Sequence, residues 1–154
     1  MKYRIIMLML LAAAMLPTQG KEVGKLIPAA VLSVRLDEET NNVILQTDSE
    51  NTGEGETTDA ALLDLRAAAP GEVLLDTVEY VIAAEGDTAA LLELKNILRP
   101  NVRVCKASEE VDLKEAWQYL RAHSPTVRMS EISENTVLQT LTWIEERFHL
   151  ENGN

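Results

Sequence analysis

The hydrophobic period of this chain changes at Pro70-Gly71, and that change limits what the chain can fold into. Before it, Thr57 or Thr58 is placed to cap a helix and Asp59 falls in the first turn, where the helix dipole favours negative charge. Leu62, Leu65 and Ala69 recur on one face of that helix, and Pro70 and Gly71 stop it. From Glu72 onward the spacing becomes two, with Val78, Tyr80 and Ile82 alternating with Glu79, Val81 and Ala83. This predicts one strand over residues 72–83. A short helix feeding directly into a strand implies a layered domain in which helices cover a sheet.

The remaining segments extend the pattern. Residues 29–36 read as a strand, DEETNN over 37–42 as a turn, and residues 43–47 as a returning strand, which together predict an antiparallel hairpin. The acidic run over 48–56 reads as a mobile loop. Asp87 is placed to cap a second helix whose stripe is Ala90, Leu91, Leu94, Ile97 and Leu98, and Arg99-Pro100 closes it. Residues 101–107 alternate as a fourth strand. Ser108 is the expected cap of a helix over 109–123, with Leu113, Ala116, Trp117 and Leu120 buried, and Ser130 that of a last helix over 131–148. Val137, Leu138, Leu141, Ile144 and Phe148 would form the stripe of that last helix.

The expected architecture is a single α/β (α+β) domain over residues 21–150. It has one small mixed sheet of about four strands with helices packed on it, and two C-terminal helices. Residues 151–154 read as a disordered tail.

The N-terminus carries Lys2 and Arg4 ahead of the twelve-residue apolar run 5–16, and then Pro17 and Thr18-Gln19-Gly20. This is the pattern of a secretion signal over residues 1–20, and twelve residues fall short of the roughly twenty needed to cross a bilayer. An uncleaved anchor is the alternative. Loss of Lys2 and Arg4 with the signal leaves 12 basic residues against 25 acidic ones, a formal charge near −13. Such a surface repels nucleic-acid phosphates and anionic lipid. With Cys105 as the lone cysteine, no internal disulfide can form, and Val102 and Val104 beside it imply a buried, inert thiol.

No candidate chemistry outweighs a structural explanation. Asp48, Glu50, Thr52, Gly53 and Asp59 stand at positions 1, 3, 5, 6 and 12 of a calcium-loop spacing, although a strand leads in and Asp59 replaces the usual glutamate. The alternative is a solvated loop. Gly53 and Gly55 before a helix resemble a phosphate cradle, but no lysine accompanies them and three carboxylates stand close by. His123 and His149 lack partners at metal-ligand spacing and are expected at helix C-termini, where they complement the dipole. The serines fit caps and the carboxylates fit solvated faces. Catalytic, cofactor-binding and metal-binding residues are therefore expected to be absent.

Residues 31–107 resemble the N-terminal domain of the spore germinant-receptor C subunits, the Ger(x)C lipoprotein family. The likeness lies in the order and spacing of AVLSVRLDEET, NVILQT, GETTDAALLDL, EYVIAAE and LLELKNILRPNVRVCKA. Three departures accompany it. Gly20-Lys21 stands where the family has a lipid-modified cysteine, Glu22-Val23 replaces its tryptophan-aspartate element, and members are more than twice as long. The resemblance implies an exported, non-catalytic module without a direct lipid anchor. Such a module would work through protein contacts with membrane receptor subunits, at the outer face of a cell or spore membrane, in spore germination. The alternative function is an extracytoplasmic accessory protein or hydrolase acting on cell-surface polysaccharide.

Overall fold

The computed structural model of the chain describes residues 24–84 and 86–153; the signal read over 1–20 lies outside the described residues. In chain order the strands are β1 (Leu26–Pro28), β2 (Val31–Leu36), β3 (Val43–Thr47), β4 (Thr52–Gly55), β5 (Glu72–Leu74), β6 (Tyr80–Ala84), β7 (Arg103–Ala107), β8 (Thr140–Ile144) and β9 (Arg147–Glu151). The helices are α1 (Thr58–Ala68), α2 (Thr88–Leu94) and α3 (Leu113–Ala122). The mixed α+β class agrees with expectation, but nine strands among the described residues replace the expected four or so. Seven form one sheet in the order β4-β3-β2-β6-β7-β8-β9, and β1 pairs with β5 in a separate parallel ribbon.

Parallel pairing joins β2 to β6, β6 to β7 and β7 to β8, and antiparallel strands close both edges. Both faces of the central strands are apolar. Leu32, Val34, Val81, Ala83 and Val104 pack into one cluster with Leu62 and Leu65 of α1 and Leu91 and Leu94 of α2. Val31, Ile82, Cys105 and Ala107 pack on the other side with Leu113, Ala116 and Leu120 of α3. A sheet that is apolar on both faces must be covered on both.

The acidic loop read over 48–56 is a turn followed by an edge strand. Glu50 takes the left-handed conformation at φ 64°, and β4 then pairs with β3 from Gln46↔Thr52 to Val43↔Gly55. Its two glycines are explained by α1. A Cβ on Gly53 would stand 2.2 Å from the Ala61 carbonyl oxygen, and one on Gly55 would stand 2.6 Å from the Ala61 nitrogen. The helix lies directly on the strand backbone there. Thr57 caps that helix by accepting from the Ala60 N–H at 3.1 Å.

Three other expectations are corrected. The strand read over 72–83 is broken by a 3-10 turn, Leu75–Thr77, so β5 joins the ribbon and β6 the main sheet. Thr77 Oγ1 holds that break by accepting from the Ala29 N–H at 3.0 Å, while Leu75 and Val78 drop into the core. The helix read from Glu109 starts at Leu113, because Asp112 supplies the cap, its Oδ1 accepting from the Glu115 N–H at 2.9 Å.

The helix read over 131–148 is absent. Val104 N–H donates to the Val127 carbonyl and Met129 N–H to that of Val102, which draws residues 127–129 along β7 and buries Met129 and Ile132. The chain then forms the β8–β9 hairpin. Strand pairing puts Leu141, Trp143, Phe148 and Leu150 on one face, and Glu151, where the disordered tail was read to begin, belongs to β9. The residues read as one stripe divide accordingly: Leu141 and Phe148 are buried, whereas Val137 and Ile144 are exposed.

Gly53→Ala and Gly55→Ala are expected to destabilise the fold by about 2 to 3 kcal/mol each, since the new methyl meets α1 backbone at Gly53, and α1 backbone together with the short Ala60 side chain at Gly55, neither of which can swing aside. Denaturant unfolding checks this, with the exposed Glu54→Ala expected to fall within about 0.5 kcal/mol of the parent.

Candidate functional site

The loop after β6 carries the chain to α2 on one face, and the loop after β7 carries it to α3 on the other. Neighbouring parallel strands whose continuations diverge in this way part at their carboxyl ends, and α/β proteins commonly bind ligands in the crevice that results. Here the crevice has a volume of about 520 Å³. Ile82, Ala107 and Leu113 give it an apolar floor, and Arg35, Asp87 and Glu110 stand among its polar walls.

Each of those polar groups has a partner. Asp87 occupies the cap position of α2 but makes no side-chain bond to that helix. Its Oδ2 instead accepts from the Leu36 N–H at 3.0 Å, tying the end of β2 to the loop after β6. Partial burial raises the Asp87 pKa, an effect that the Leu36 hydrogen bond opposes. Arg35 Nη1 lies 3.7 Å from Glu110 Oε2 across the opening, with the Arg35 side chain about half exposed and that of Glu110 mostly so. A pair so exposed orients the rim more than it stabilises the fold. Glu38 and Glu109 add to the negative rim. The crevice therefore favours cationic or neutral polar groups over phosphates.

The calcium-loop residues are not brought together as a site. Asp48 Oδ1 accepts from the Ala30 and Val31 N–H groups at 2.9 and 3.1 Å, Glu50 pairs with Lys114 at 2.6 Å, Thr52 and Gly53 lie in β4, and Asp59 lies in α1. Among the described residues no group of three or more potential ligands could hold a metal ion. His123 ends α3 and stacks on Tyr119 with centroids 4.5 Å apart, whereas His149 lies in β9 opposite Thr142. Cys105 is fully buried and its thiol is pushed up to about 12 by burial, so it stays protonated.

Sequence reasoning marked Asp87 as a helix cap and missed its bond to β2. The only local signal was Gly86-Asp87 following a strand; its meaning depends on which strand lies alongside. Comparison with protein-family models, with curated proteins and with solved structures finds no match to this chain.

Two outcomes follow. Asp87→Asn keeps an acceptor for the Leu36 N–H, whereas Asp87→Ala is expected to lose about 1 kcal/mol with that bond. The raised pKa means the wild type holds this group's contribution below pH 3.8 and loses it as pH rises through the folded-state titration. The stability of Asp87→Asn relative to wild type should therefore grow across that range, as urea unfolding at a series of pH values would measure. Second, Cys105 should resist a water-soluble alkylating reagent until global unfolding exposes it.

Proposed function

We propose that the chain is an exported, non-catalytic binding module that works through protein contacts. The assembly would be of the kind its resemblance to germinant-receptor C subunits implies, beside membrane receptor subunits in spore germination. The observation that carries the reading is the way the crevice uses its polar groups. Asp87 is bonded to the β2 backbone and Glu110 faces Arg35, so these walls hold the loops in place around an apolar floor. A shaped opening with fixed rims suits recognition. One observation favours the alternative reading as a polysaccharide hydrolase: Asp87 is a carboxyl group of raised pKa in an open crevice, as a general acid requires.

Deletion of the gene separates the two. The expected result is spores that form normally and lose their response to nutrients, with the tagged chain recovered by cross-linking to membrane subunits. Germination at the parental rate would overturn the proposal. Sugar release from cell-surface polysaccharide that Asp87→Asn abolishes would replace it with the hydrolase reading.

A further inference from the structure

The β8–β9 hairpin projects beyond the sheet that carries it. β7 pairs with β8 only at Lys106↔Thr140 and Ala107↔Leu141, whereas β8 and β9 pair on to Ile144↔Arg147. Among the described residues, the last turn of the hairpin is thus an arm with no strand beside it on the β7 side. Trp143 is 43% and Ile144 45% exposed on this arm. Trp143 packs against Phe148 in a T-shaped contact, with centroids 4.5 Å apart and the ring planes at 72°. Facing the pair is the β7–α3 loop, and between them runs a groove of about 230 Å³ whose other walls include Glu109, Glu110, Asp112 and Glu115.

The arm ends in Glu145-Glu146, with φ 52° and 60°. Two successive left-handed residues form a turn for which asparagine and glycine are the favoured pair, so two glutamates there disfavour the fold. Both side chains are exposed, and they place negative charge at the tip of the arm that carries Trp143. A tryptophan face beside carboxylates is complementary to a guanidinium or ammonium group, which can lie over the ring while its charge is balanced from the sides. The chain's formal charge of −11 acts in the same direction at longer range.

We infer that the hairpin arm and the β7–α3 loop form a docking surface for a basic segment of a partner protein, with an arginine or lysine seated on Trp143. This inference rests on the binding-module reading and assigns that module its contact surface. The partner segment carries an apolar residue beside its basic ones, because Val111 and Phe148 line the same groove as Trp143.

The test titrates the isotope-labelled full chain with a nine-residue peptide of alternating arginine and leucine, using alternating glutamate and leucine as control. NMR shifts are expected at residues 109–115 and 142–149 and at the Trp143 indole but not that of Trp117, and the affinity should fall as salt is raised. Trp143→Ala should weaken binding roughly tenfold. Glu145→Asn with Glu146→Gly should weaken it about three- to tenfold while raising the melting temperature, which separates lost contact from lost folding. Absence of binding, shifts centred on another surface, or unchanged affinity in these variants would overturn the inference. Full rescue of nutrient response in the deletion strain by Trp143→Ala would remove this surface and leave the assembly reading standing, whereas a deletion strain with normal response would remove the assembly reading itself.

Discussion

The central strands bury side chains on both of their faces, and the rest of the architecture follows from that. Val31 and Leu32 point to opposite sides, as do Val81 and Ile82, and Val104 and Cys105, and each of these six is buried. Neither face can be left to water, because each buried aliphatic side chain contributes roughly 1.5 to 3 kcal/mol that exposure would forfeit. The chain meets this by sending α1 and α2 to one face and α3 to the other. Once the loops after β6 and β7 leave in opposite directions, the carboxyl ends of those strands separate, and the crevice that carries Asp87 opens there.

The two sheet edges are protected by different means. At β4 the backbone itself is covered, since Gly53 and Gly55 let α1 settle onto it, and the Asp64 carboxylate accepts from the Glu54 N–H at 2.9 Å. At β9 the Tyr119 hydroxyl accepts from the Leu150 N–H at 3.0 Å, blocking that part of the edge with a group from α3. Exposed edges invite pairing with other chains, and both devices reduce that exposure. The outer part of the hairpin, around Trp143 and Ile144, lies beyond this cover.

Polar contacts along the chain hold loops more than they stabilise the core. Asp48 joins the β3–β4 turn to the start of β2, Thr77 fixes the break between β5 and β6, and Asp37 folds its own turn by accepting from the Glu39 N–H at 3.0 Å. That backbone bond is the largest cause of the lowered Asp37 pKa. Lys114 ties Glu50 of the β3–β4 turn to α3, and its pKa is raised by the same contact. In an acidic chain these short-range partners prevent neighbouring loops from repelling one another at close quarters.

The sequence by itself determined the elements whose signals are local: a threonine cap at Thr57 or Thr58, the α1 face of Leu62 and Leu65, the β2–β3 hairpin, β7 and the buried Cys105. Each depends on residues within one or two turns of helix or strand, where capping and periodicity act. Tertiary structure decided the rest. Gly53 and Gly55 read as a flexible loop because their purpose, contact with a helix backbone, lies outside the segment. Residues 137–148 have apolar spacing that fits a helix, and a turn of two glutamates gives no hairpin signal, so only pairing with β7 and packing of Leu141 and Phe148 beneath α3 selected strands. The crevice was illegible for the same reason: it arises from which strands lie side by side and from the faces to which their loops depart, and neither is encoded in the spacing of residues along one segment.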